Sequence, residues 1–262
     1  MKKIPFELHT EVYTPKDIAK VLSLAVNDKN FTGNNKGEKF LNVPVSFDIE
    51  TTSFYRDEDG ETYSYERYMK LGGKETKMEK CSLMYVWQFG INGFCIMGRT
   101  WDEFLQMLSE IVDILELCPK KRIIIYVHNL AYEFQFFREL LEWEKVFSID
   151  LRKPIYGITK TGLEFRCSYL LSGYSLAKLG EQLHTYKCEK LVGDLDYSLL
   201  RHSKTPLTQK EIGYCLNDIK VVMCYIQELI ERYKGITRLP ITKTGFVRKY
   251  CRSVCFKTTD ET

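Results

Sequence analysis

Apolar residues recur along this chain with two periods, and polar stretches separate the runs. Thr14-Pro15 ahead of Asp17-Ile-Ala-Lys-Val-Leu reads as a capped first helix, with Thr14 at the N-cap and Pro15 at N1. Polar residues 27–39 read as a loop. Residues 43–48 are apolar and β-branched, which predicts a strand that ends in an acid. Residues 55–80, crowded with Tyr, Glu, Lys and Gly, predict a surface insertion or an extended hairpin. Two β-rich runs, 82–90 and 94–98, flank Asn92-Gly93 and predict a hairpin.

Helical spacing of Phe104, Leu108, Ile111 and Leu115 predicts a helix over 101–117, which Pro119 stops. Arg122-Ile-Ile-Ile-Tyr-Val-His is nearly all apolar, as suits a central strand covered on both faces. A second helical pattern covers 132–143, and strands follow near 145–151, 156–159 and 163–169. Ser175 caps a short helix through residue 183. Thr208, with Glu211 three residues later, forms a capping box for a helix reaching about residue 233. No internal repeat is visible. The succession predicts an α/β domain: a mixed sheet with helices on its faces, and an appendage after Gly235.

Composition narrows the classes. Among 262 residues, Lys+Arg is 38 and Asp+Glu is 35, a formal charge of +3. That excludes a generic basic coat for nucleic acid while leaving room for a local positive groove. The 17 Tyr, 15 Phe and 3 Trp supply ample surface to bury, so dominant disorder is excluded. No apolar run approaches the ~20 residues of a membrane span. The first residues lack an apolar signal core, so a cytoplasm-like compartment is expected. The nine cysteines include no Cys-x-x-Cys; Cys251 and Cys255 have helical spacing but no nearby pair to complete a zinc site. Reduced, mostly buried thiols are expected.

Candidate chemistry centres on Phe47-Asp48-Ile49-Glu50-Thr51-Thr52. In a strand, residues i and i+2 share a face, so Asp48 and Glu50 aim two carboxylates at one point. Such a pair repels and binds protons unless a cation neutralises it. In His128-Asn129-Leu130-Ala131-Tyr132-Glu133-Phe134, an acid follows the second apolar strand where a helix begins. Tyr214-Cys-Leu-Asn-Asp218 puts Tyr and Asp at i, i+4 on one helix face. Standing alone, Glu133 reads as a favourable charge at a helix start and Asp218 as an exposed helical carboxylate.

Taken together, the three stretches resemble the three exonuclease motifs of the DEDD 3′→5′ exonucleases, in the Tyr-containing subclass. Glu133 departs from the pattern, which has Asp there. The resemblance sharpens at Tyr126-x-His128-Asn129-Leu130, at Gly173-Tyr-Ser175-Leu176-Ala-Lys-Leu179 and at Gly193-Asp194-Leu195-Asp196-Tyr197. These are similar to the N-terminal exonuclease domain of bacteriophage protein-primed family B DNA polymerases. A lysine that assists the chemistry in that family stands where this chain has Val192; Lys190 would share Val192's strand face and substitute for it. The polymerase motifs of such enzymes are absent from the chain.

The resemblance implies a ribonuclease H-like sheet, with residues 1–42 as an N-terminal extension, 43–234 as the exonuclease domain and 235–262 as an appendage or the start of a missing polymerase domain. It implies two Mg²⁺ or Mn²⁺ ions. Asp48, Glu50 and Asp218 would hold the first, and Asp48 would bridge to a second that Glu133 helps to place. Tyr214 would orient the attacking water. Thr51, Asn129, Tyr132, Phe136, Ser175 and Leu176 would bind a single-stranded DNA 3′ end, although Tyr132 and Phe136 read equally as helix core. A polymerase domain and a terminal protein are partners by resemblance only, and a viral chain would work in the host-cell cytoplasm. The alternatives are a stand-alone nuclease of RNA or short oligonucleotides and a catalytically silent single-strand-binding or polymerase-docking module.

Overall fold

The computed structural model describes residues 2–150, 152–191, 196 and 199–255. In chain order the elements begin β1 (Val12–Tyr13), α1 (Ile18–Ala25), β2 (Phe31–Gly33), β3 (Lys39–Leu41), β4 (Val45–Arg56), β5 (Thr62–Tyr63) and α2 (Tyr65–Lys70). There follow β6 (Glu79–Ile91), β7 (Phe94–Gly98), α3 (Trp101–Ile114), β8 (Lys121–Val127), α4 (Leu130–Phe137), β9 (Trp143–Ser148), β10 (Pro154–Thr159) and β11 (Leu163–Cys167). The last are α5 (Ser168–Ser172), α6 (Leu176–Glu181), α7 (Gln209–Tyr233) and α8 (Lys243–Cys255).

Five strands in the order β7–β6–β4–β8–β11 make the centre of one sheet. Strand β6 runs antiparallel to both neighbours, while β4, β8 and β11 run parallel. This is the mixed sheet of the ribonuclease H-like α/β class. Residues that precede β4 join it too: β1 extends it beside β7, and the β2–β3 hairpin pairs through β3 with the start of β8.

Strand alternation sorts the two faces. Phe47, Ile49, Trp87, Phe89 and Ile125 pack in one core with residues of α1, α3 and α4. On the opposite face Ile124 and Tyr126 pack against Val222 and Ile226 of α7. Ser46, Asp48 and Glu50 therefore point toward α7, and Ser46 Oγ donates to the Ile219 carbonyl at 3.0 Å.

Strong local signals fold as read. Asn92 and Gly93 take φ of 48° and 94° in the β6–β7 turn, where Ile91 pairs with Phe94. Thr208 with Glu211 forms the capping box that opens α7, and α3 opens on a second one, Thr100 with Glu103, beyond those expected from the sequence. The long β4–β6 pairing, out to Arg56↔Glu79, makes residues 55–80 an extended hairpin tip holding β5 and α2.

Other boundaries differ, for identifiable reasons. Strand β4 does not end at Asp48 but continues to Arg56, because the loss of apolar residues marks where the core ends while the ladder to β6 goes on. The loop expected over 27–39 contains β2 and the start of β3, whose short edge strands carry no alternation to betray them. The helix expected over 132–143 stops at Phe137; Trp143 reaches the same core from β9, its ring 5.0 Å from Phe134 and 5.7 Å from Phe165. Four of nine thiols are buried (Cys95, Cys167, Cys215, Cys224) and Cys118, Cys251 and Cys255 are exposed, so the expectation of mostly buried cysteines fails. All nine are free.

Helix α7 sits close on the sheet at Gly90, where an added Cβ would lie 2.7 Å from the Met223 side chain and 2.8 Å from Ser46 Oγ. Gly90→Val should therefore cost about 1–3 kcal/mol through overpacking. A lowered urea midpoint is the expected reading, and an unchanged midpoint would mean that α7 is not seated this closely.

Candidate metal-binding active site

Strand β4 and helix α7 bring three acids to one place. Asp48 and Glu50 project from the same face, and Asp218 comes down from the overlying turn of α7; ligand oxygens of the three lie within 4.8 Å of one another. Glu50 is buried, whereas Asp48 and Asp218 keep an opening to solvent through which an ion can enter. Glu133, in the first turn of α4, is buried and its carboxyl reaches Asp48. Its Oε2 has no hydrogen-bond partner among the described residues.

The electrostatics follow from crowding. Burial, then the charges of Glu133, Glu50 and Asp218, push the Asp48 carboxyl well above the usual range. Burial, with Asp218 next, raises Glu50 to about 7 against the pull of Lys190 and Arg201. Glu133 rises to about 8, chiefly through burial, with Glu50 adding and hydrogen bonds from its own backbone and Asp48 opposing. Burial raises Asp218 as well, in spite of its bond from Lys190.

Lys190 is the nearest cation. Its ammonium bonds Asp218 Oδ1 and lies 4.0 Å from the centre of the Tyr214 ring. Residue 190 is in no strand. Its segment is tied to α7 by Asn217, whose Oδ1 accepts from Leu191 N at 2.8 Å and whose Nδ2 donates to the Glu189 carbonyl at 2.9 Å. Val192 and the element 193–197, Asp196 apart, lie outside the described residues.

The substrate candidates divide. Thr51 and Tyr132 share a hydrogen bond of 2.5 Å that spans from β4 to α4 beside the acids. Asn129 precedes α4 with an exposed side chain that makes no capping bond. Phe136 is half-buried, packed on the main core and 5.3 Å from the Tyr132 ring. Ser175 caps α6 and Leu176 packs on the α7-side core; among the described residues no hydrogen bond joins either to the four acids.

Arg201 was not legible as a site residue. It is buried, bonds Glu211 at 2.6 Å, lies 5.7 Å from the Tyr85 ring and acts electrostatically on Glu50. Glu211 reads in sequence only as half of a capping box, yet it serves the cap and this guanidinium together. His128, just after β8, is held as a neutral imidazole because burial, then Lys190, lowers its pKa to about 4.

The donor set fits hard divalent cations. Four carboxylates supply only oxygen ligands, the preference of Mg²⁺ and Mn²⁺. The unmade bond at Glu133 Oε2 is the kind of vacancy in a buried polar group that an ion or its water satisfies.

No family model and no curated protein matches the chain. Solved structures do. Phi29 DNA polymerase complexed with single-stranded DNA aligns at TM-score 0.58 and 14% identity, over 84% of this chain and 36% of that one. Its ternary complex with primer-template DNA and incoming nucleotides aligns at 0.56 and 14% identity, over 84% and 35%. Its orthorhombic crystal form aligns at 0.54 and 16%, over 83% and 35%. The chain thus spans about a third of the polymerase's length, and at these identities the likeness is one of fold. At that level it bears out the expected resemblance in fold to part of a phage DNA polymerase. Among the described residues no helix is long and apolar enough to cross a membrane.

Raised carboxyl pKa values set the pH response of the metal-free protein. Glu50 and Glu133 hold protons in the folded state up to about 7 and about 8, but release them near the ordinary glutamate value of 4.5 when unfolded. The stability they confer is full below pH 4.5 and is lost as pH rises through 7 to 8. Urea midpoints should fall between pH 5 and pH 8 without metal, and Glu133→Gln should flatten the decline. A flat wild-type profile would contradict the crowding.

Proposed function

We propose that this chain is a metal-dependent 3′→5′ exonuclease that hydrolyses single-stranded DNA ends, the editing domain of a DNA-synthesising assembly. The observation that carries the reading is the convergence of Asp48, Glu50 and Asp218, with the uncommitted carboxyl oxygen of Glu133 beside them. The fold shared with phi29 DNA polymerase supports it. Residues 43–234 form the exonuclease domain in this reading; residues 1–42 are an N-terminal extension whose strands join its sheet, and 235–262 an appendage or the start of a polymerase domain.

Asp48, Glu50 and Asp218 would hold one ion, and Asp48 with Glu133 a second. Bound there, two divalent ions lower the pKa of a water and offset charge on a phosphodiester. The protein's own groups do the rest. Tyr214, one turn before Asp218 on α7, orients the attacking water by hydrogen bonding. Lys190, bonded to Asp218 in the metal-free protein, would be released by cations held there and would offer its ammonium to the phosphate. Thr51, Tyr132 and Asn129 grip the terminal nucleotide, and the exposed face of Tyr132 stacks a base, worth ~1–3 kcal/mol. Phe136 stiffens Tyr132 from behind, and the Ser175-Leu176 element meets the strand further from the acids. A frayed or mispaired end costs less to unstack than a paired one, which makes the activity a proofreading one.

With Mg²⁺, a 5′-labelled DNA single strand should shorten from its 3′ end, and Asp48→Ala with Glu50→Ala should reduce digestion to background. Mispaired 3′ ends should be cut faster than paired ones. Faster digestion of the matching RNA would turn the reading toward an RNA nuclease, and binding of DNA without any cleavage would leave a silent module.

A further inference from the structure

Strand β6 faces the acid-bearing stretch of β4 and places two buried polar side chains there for which neither the core nor the catalytic reading has a use. Gln88 stands directly opposite Asp48 in the antiparallel ladder. Directly paired residues in such a ladder have Cβ atoms about 4.5–5.5 Å apart on a common face. Trp87 and Phe89 on either side belong to the opposite core, so Gln88 points beneath α7 like Asp48. Its other cross-strand neighbour is Met97, which packs with the α7 residues Leu216 and Ile219. Gln88 is 0% exposed, and neither its Nε2 nor its Oε1 has a hydrogen-bond partner among the described residues.

Tyr85 repeats the pattern at Glu50. The register passes from Glu50↔Val86 to Thr51↔Met84, so Tyr85 is the extra residue of a β-bulge. A bulge re-aims a side chain. Here it turns Tyr85 to the same side as Val86, and both join Tyr214 and Cys215 of α7. Tyr85 is 1% exposed, its hydroxyl has no partner among the described residues, and its ring lies under Arg201. An amide and a phenol buried without hydrogen bonds cost stability that Met or Phe would not. Gln88 stands opposite Asp48, and Tyr85 is the bulge residue next to Val86, the partner of Glu50, on the same side of the strand.

The geometry points to Gln88 and Tyr85 as positioning residues that hydrogen-bond the outer oxygens of Asp48 and Glu50 once the inner oxygens face divalent cations. The inference rests on the exonuclease reading for its cations. In the metal-free protein Lys190 bonds Asp218, and the two donors have no hydrogen-bond partner among the described residues. With metal bound, a carboxylate engaged on one side is held on the other by a neutral donor. That fixes its orientation without adding charge.

The test uses the full chain with Gln88→Met and Tyr85→Phe, each close to its parent in shape. Melting without metal should occur at or above the wild-type temperature. Mn²⁺ affinity by calorimetry should fall about tenfold to a hundredfold. Cleavage of labelled single-stranded DNA should fall with it and recover as Mn²⁺ is raised. Wild-type Mn²⁺ affinity in both variants would overturn the proposal, and so would lower metal-free melting temperatures, which would show that the polar groups already serve the fold. A wild-type protein that binds Mn²⁺ but cuts nothing would instead sink the exonuclease reading and leave the positioning question to the binding data.

Discussion

Four carboxyl groups forced together in a poorly hydrated space are the constraint around which this molecule is arranged. Like charges this close, with water largely excluded, cannot all ionise. In the metal-free protein the conflict is relieved in two ways: carboxyls keep their protons far above their ordinary range, and the Lys190 ammonium settles on Asp218. A lysine makes an incomplete answer. It satisfies one acid, leaves Glu133 Oε2 without a bond, and supplies a single charge to a cluster that can carry four. Two divalent cations would neutralise such a cluster in full, so what looks like an electrostatic fault in the metal-free fold would, in the proposed reading, be the source of affinity for metal.

The rest of the architecture brings those groups together and holds them still. Pairing β4 with β8 in parallel and with β6 in antiparallel leaves the acid strand at the centre of the sheet. Alternation hands its apolar residues to α1, α3 and α4 and its acids to α7. The close seat of α7 at Gly90 and the bond from Ser46 to Ile219 bring Asp218 down onto that face. Around the mouth, Arg201 bonds the Glu211 cap and sends its backbone N–H to Thr52 at 3.2 Å, tying the segment ahead of α7 to the acid strand. In the proposed reading the modest net charge of +3 is a poor guide to phosphate binding, because acids that metal would neutralise are counted at full weight.

What was legible in the sequence was whatever depends on near neighbours. Asp48 and Glu50 share a face through the two-residue strand period, Tyr214 and Asp218 through the helical one, and the Asn-Gly turn and the Thr208–Glu211 capping box are local chemistry. The resemblance to phage polymerase exonuclease domains joined those fragments and led to the right sheet. Features set by distant pairing left no local mark. Thr52 and Arg201 meet across 149 positions, and Arg201 stood in an unremarkable polar stretch. The bulge at Tyr85 exists only relative to β4, and the pairing of Gln88 with Asp48 becomes visible only once the register is known. Trp143 misled for the opposite reason, since its apolar ring fits a helical stripe and a strand equally well and only packing on Phe134 and Phe165 decides between them.

Anomalous diffraction from crystals of the intact chain soaked in Mn²⁺ tests the central claim most directly. The account predicts two peaks about 3.5–4 Å apart. One should lie among Asp48, Glu50 and Asp218, the other against Asp48 and Glu133, with Lys190 withdrawn from Asp218. A single peak with Glu133 turned away, or no peak while Lys190 keeps its hold on Asp218, would contradict it.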